Sequence, residues 1–182
     1  MNFKYFILLD IPVSFRPDKL LLKKNFYRLS RSLHPDYFTN EPIEVQQQKM
    51  KESSELNAAY KTLMDEGLRI KYLLEGYGLF NNDENIALDV EFLTEMMDIN
   101  EIIFELQGQF DQQQYEAVLK EIGDKQSHLD NQLSACFAEF DTSNNAKVVL
   151  ADIRDIYLKS RYLLRIHENI STFAPHSDDF NL

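Results

Sequence analysis

Apolar residues recur along this chain at intervals of three and four, the period of a helix with one buried face. The first such run is 19–33, KLLLKKNFYRLSRSL, in which Leu22, Phe26, Leu29 and Leu33 step by four, three and four. Asp18 stands before it as an N-cap whose carboxylate accepts from first-turn amides. Pro35 ends it, because proline offers no amide hydrogen and biases His34 away from helical geometry. The stretch from Tyr37 to Ile43, with Asn40 and Pro42, reads as loop, and a second helix is predicted from about Glu44 to Met64. Its Leu56, Ala59, Tyr60 and Leu63 supply the face that closes on the first stripe, giving an αα-hairpin. The short apolar piece at 3–9 covers the open side, with Tyr5 and Phe6 packing on the pair.

The same rhythm returns three times after residue 88. Phe92, Met96, Ile99, Ile103, Leu106 and Phe110 form the first stripe; Tyr115, Leu119, Ile122, Gln126, Leu129, Leu133, Cys136 and Phe140 the second. Val149, Ile153, Ile156, Leu163 and Ile170 make a looser third. Polar breaks at 107–113 and 141–146 separate them, so an antiparallel three-helix bundle is predicted over 89–173 rather than one long coiled coil. Residues 79–88 (LFNNDENIAL) are polar between periodic segments and read as a linker, and 174–182 as a polar tail. The fold class is all-α, in two units.

Charge changes this picture more than composition does. At 182 residues with 44% hydrophobic content the chain can bury a core, and a single cysteine, Cys136, excludes a disulfide framework and fits a reducing compartment. The net charge is −11, yet 1–81 holds twelve basic and ten acidic residues while 82–143 holds two basic and fifteen acidic, a net of −13. Such a segment repels nucleic acid and anionic membrane and attracts basic proteins. No signal peptide, transit sequence or membrane-length apolar run is present, so a soluble, cytoplasmic protein is expected. Chemistry of its own is not expected either. There is no glycine-rich phosphate loop. His34, His128, His167 and His176 are scattered without metal-ligand spacing. Cys136, read as a small buried residue on the bundle stripe, cannot hold a cluster alone. No cofactor, metal site or catalytic residue is assigned.

Against that acidity the first helix is anomalous. Lys24, Arg28 and Arg31 fall opposite its apolar stripe, Lys19 and Lys23 add charge, and the fifteen residues contain no acid. By itself a basic face is a solvated face, and His34-Pro35-Asp36 is a turn. The succession of amphipathic basic helix, His-Pro-Asp and second long helix is more specific, and it resembles the J domain of DnaJ-type co-chaperones. That resemblance implies that residues 1–78 are a J domain with short flanking helices. It also implies that His34, Pro35, Asp36, Lys23, Lys24, Arg28 and Arg31 dock on a DnaK-class ATPase chaperone and stimulate its ATP hydrolysis.

A narrower resemblance lies at 53–78, SSELNAAYKTLMDEGLRIKYLLEGYG. Leu56, Asn57, Ala59, Tyr60, Arg69, Tyr72, Leu73, Leu74 and Gly78 are similar to a signature of the HscB family, co-chaperones of iron–sulfur cluster assembly; Asp65-Glu66-Gly67 stands where many relatives carry a proline. The helix at 89–108 has apolar residues beside its core stripe, Leu93, Met97 and Phe104, next to Asp98, Glu101 and Glu105. Periodicity alone reads this as a broad core face with solvated acids. The family resemblance implies instead a surface for the cluster scaffold protein, IscU, made of Leu93, Thr94, Met97, Asp98, Glu101 and Glu105 with Tyr162 on the last helix. Phe92-Leu93-Thr94-Glu95 and Arg161-Tyr162-Leu163 match the family motifs, with Thr94 replacing a bulkier apolar residue and Asp98 a glutamate. The partners expected are an HscA-type chaperone and the scaffold. The alternative is a J-domain protein for another client, its bundle a structural or dimerisation module.

Overall fold

A computed structural model describes residues 3–80, 88–142 and 146–172. Seven α-helices and no strand occur among them. Contacts divide the chain into two compact units, Met1–Asn82 and Asp83–Leu182.

In the first unit α1 (Lys4–Leu8), α2 (Lys19–Ser32) and α4 (Glu66–Gly76) all pack on α3 (Ile43–Met64). Asp18 caps α2 as its position requires, accepting from the amides of Leu20 at 2.8 Å and Leu21 at 3.1 Å. Of the α2 stripe only Leu22 is fully buried; Phe26, Leu29 and Leu33 are half-buried, because α3 covers the helix from one side. Phe26 stacks on Tyr60 with ring centroids 4.0 Å apart. The polar Asn25 is buried in their place, its Nδ2 donating to the carbonyls of Leu9 and Asp10. Those bonds tie α2 to the chain leaving α1, where Asp10 takes a left-handed φ of 51°. Phe6 is buried and Tyr5 stacks on Tyr72. The segment expected as loop from Tyr37 begins instead inside a 3₁₀ turn, Pro35–Phe38, since proline at its first position pre-sets the turn's φ. Gly78, at φ +73°, ends α4 in a left-handed cap, and the Leu79 amide reaches back to the Leu74 carbonyl.

The second unit holds α5 (Val90–Gly108), α6 (Gln112–Thr142) and α7 (Ala146–Ser171), a helical bundle. Phe92, Met96, Ile99, Ile103 and Leu106 are buried as the spacing predicts, together with Val118, Ile122, Leu129, Leu163, Ile166 and Ile170. Glu95 pairs with Lys125, and Gln126 with Ser160, so α6 runs against both of its neighbours. The expected α6 stripe is displaced at both ends: Val118 and Phe137 are buried, while Leu119 and Cys136 are only half-buried; Phe110, the last position of the expected α5 stripe, falls beyond that helix and is exposed. Leu88, placed in the expected linker, packs on the bundle core. The rest of that linker (81–87), the break at 143–145 and the tail at 174–182 lie outside the described residues.

Candidate functional site

The basic face of α2 forms as its spacing requires. Lys23, Lys24, Arg28 and Arg31 are all exposed, and among the described residues none of them pairs with an acid. Tyr27 and Leu20 are exposed on the same side, Tyr27 at the centre of the cations. Sequence reasoning passed over both because it searched that face for charge alone; their spacing of seven was the available signal.

At the C-terminal end of α2 the backbone of His34 turns to φ −63°, ψ 129°, and its imidazole Nδ1 accepts from the Asp36 amide at 3.3 Å. The ring thus caps the 3₁₀ turn and brings Asp36 Oδ2 to 3.5 Å from the same nitrogen. One nitrogen cannot accept from the amide and donate to the carboxylate at once, so with neutral imidazole the carboxylate keeps all its acceptor sites for water or a partner. The Asp36 side chain is 82% exposed, and among the described residues no Lys or Arg reaches it. The turn is braced from behind: Gln46 on α3 donates to the carbonyls of Glu41 and Thr39, and Lys49 lies 5.7 Å from the Phe38 ring. Arg31 sits in the last turn of α2, and Lys23 begins about 12 Å further back along the axis. Proline, capped turn and brace hold a lone carboxylate beside a cationic helix. That geometry suits recognition of a cationic or amide-rich protein surface.

In the second unit, Asp89 caps α5 by accepting from the Phe92 amide at 2.7 Å and pairs with Lys159 on α7. Its carboxyl is held below the ordinary range, first by Lys159 and then by that amide. On the other flank, Glu95 meets Lys125 of α6 at 2.6 Å, which raises the Lys125 pKa. With both flanks engaged, the outward side of α5 carries Thr94, Met97, Asp98, Glu101, Phe104 and Glu105, all exposed, and the half-buried Leu93. Met97 and Phe104 are 70% and 76% exposed, too open for the broad-core reading. Tyr162 is half-buried on that α7 flank, its ring edge-on to Phe92 with Arg165 over it. The six α5 residues assigned from sequence therefore share one surface, and Tyr162 borders it. Cys136 is half-buried, its pKa raised by burial and by Asp152 and Glu139, which makes it a poor nucleophile. Among the described residues no group of three metal-ligating side chains occurs, and no helix is long and apolar enough to cross a membrane.

Comparison with known proteins places these surfaces in a context. The sequence model of a family described as the HSCB C-terminal oligomerisation domain matches residues 88–171. The chain is 30% identical over 167 residues to the human iron–sulfur cluster co-chaperone protein HscB, covering 91% of this chain and 66% of that protein's length. It is 30% identical over 131 residues to a co-chaperone protein HscB homologue of Haemophilus ducreyi, with 71% of this chain and 76% of that one covered. Among solved structures, human co-chaperone HscB superposes with a TM-score of 0.74 at 29% identity over 93% of this chain and 81% of the human one.

Proposed function

The chain belongs to the HscB family, and from that premise we propose that it is a cytoplasmic co-chaperone of iron–sulfur cluster assembly that works as a two-site adaptor. The first unit engages a DnaK-class ATPase of the HscA type through Asp36, the His34-Pro35 turn and the cations Lys23, Lys24, Arg28 and Arg31. The second unit holds an IscU-type scaffold on the outward side of α5, through Leu93, Thr94, Met97, Asp98, Glu101 and Glu105 with Tyr162 at its border. The observation that carries the reading is the carboxylate of Asp36, exposed and unclaimed by any Lys or Arg among the described residues, at the end of an unpaired cationic face.

The adaptor needs no catalysis of its own. ATP hydrolysis takes place in the chaperone, whose conformational equilibrium the docked J domain biases. Holding client and chaperone on one chain raises the local concentration of one at the other. The test is the chaperone's ATPase rate with this chain, with scaffold, and with both. Synergy supports the adaptor; additive effects contradict it.

The description of the matching family model favours a second reading, in which the bundle joins copies of this chain. A sedimentation series across concentration separates the two readings, because an adaptor acting alone stays monomeric.

A further inference from the structure

Val90 and Phe104 are the most exposed apolar residues of α5, at 80% and 76%. With Met97 they stand seven residues apart, and each step of seven falls about 20° short of two full turns, so the three form a nearly straight ridge about 21 Å long. Each is followed immediately by an acid: Glu91, Asp98 and Glu105 make a parallel ridge one residue further on, and all three are exposed. Thr94 and Glu101 lie between the two rows. Among the described residues no ring or cation lies against Phe104, and none of the three acids is paired.

We infer that the outward side of α5 is a paired apolar and acidic ridge in which Val90 and Phe104 extend the client contact to both ends of the helix, and that it takes a protein segment presenting a row of apolar side chains edged on one side by basic ones. The inference rests on the client-binding reading of this surface. Charge decides the occupant. A second copy of the same face would set three carboxylates against three, and an anionic membrane would be repelled, whereas a basic edge on the partner neutralises the row. Phe104 also restores apolar area that Thr94 withdraws from the middle of the surface, and large apolar anchors dominate such contacts while flanking acids set rate and salt dependence.

Calorimetric titration of purified scaffold into four forms of the full chain tests this: wild type, L93A/M97A, V90A/F104A and E91Q/D98N/E105Q. All the substituted side chains except Leu93 are exposed, so helical content should be unchanged by circular dichroism. V90A/F104A is expected to weaken binding at least tenfold, and the triple amide variant to flatten the dependence of affinity on salt. Wild-type affinity in V90A/F104A overturns the extended ridge, and leaves the client-binding reading standing if L93A/M97A has lost binding. An unaltered salt dependence in the triple variant overturns the acidic row. No binding by the wild type overturns the client reading itself, and this inference with it.

Discussion

Arg69 is 1% exposed, yet among the described residues its guanidinium meets only one carboxylate, that of the largely exposed Glu66 at 3.4 Å. The other donors go to main-chain carbonyls: Nε to Phe15 at 2.9 Å, Nη1 to Leu63 at 2.7 Å. Burial lowers its pKa, and Glu66 and Asp65 oppose that. One side chain thereby closes the end of α3 and ties it to the chain ahead of α2. Arg69→Met keeps the length and leaves buried carbonyls without donors, at about 1–3 kcal/mol each. We expect it to destabilise the first unit by on the order of 3 kcal/mol, read as a lowered unfolding midpoint in denaturant; an unchanged midpoint would show that water replaces the donors. The sequence marks Arg69 as part of a family signature but gives no reason for it, because its acceptors are 54 and 6 residues away. Asn25 was illegible for the same cause: a polar residue one step before Phe26 reads as solvated until Leu9 and Asp10 are placed against it.

At the scale of elements, α5 is fastened at its start by Asp89, through the Phe92 amide and Lys159. A carboxyl whose folded pKa is depressed contributes stability that is complete above its unfolded value, near 3.8, and is lost as pH falls through the lower folded value. Protection of the Phe92 amide from exchange is therefore expected to fall on acidification below that range. Asp89→Asn, which keeps a capping oxygen and removes the charge, should show a shallower dependence. Equal profiles would separate the cap from the ion pair. The middle of α5 carries the client prediction: L93A/M97A should weaken scaffold binding strongly, while E105A alone should cost about 1 kcal/mol or less, as exposed charges commonly do. Titration of both variants decides it, and a larger loss from E105A would move the contact from apolar to ionic. The two ends of α2 were legible, since Asp18 and Pro35 punctuate the chain physically, whereas the cap at Asp89 emerged only with the structure. The register of α6 was legible only at its centre. At its ends the residues one step outward, Val118 and Phe137, take the core positions in place of Leu119 and Cys136, which a strict count of seven from the centre does not anticipate.

The whole molecule is polarised: a near-neutral unit carrying a cationic helix is joined to a bundle whose first two helices are strongly acidic. Two surfaces of opposite charge favour different partners at once and keep each partner off the other's site. This division was visible in the sequence, because charge needs no coordinates. The exposed apolar ridge was not, because periodicity cannot tell an apolar residue beside the core from one inside it. In the adaptor reading, stimulation of the chaperone's ATPase depends on the Asp36 carboxylate. The most direct test is the steady-state ATPase rate of the DnaK-class chaperone with wild-type chain and with Asp36→Asn, each with unfolding midpoints measured alongside. The wild type is expected to raise the rate, more so with scaffold present, and the variant to leave it basal while folding as stably. A variant that stimulates as well as the wild type, or a wild type that stimulates no such ATPase, would contradict the account.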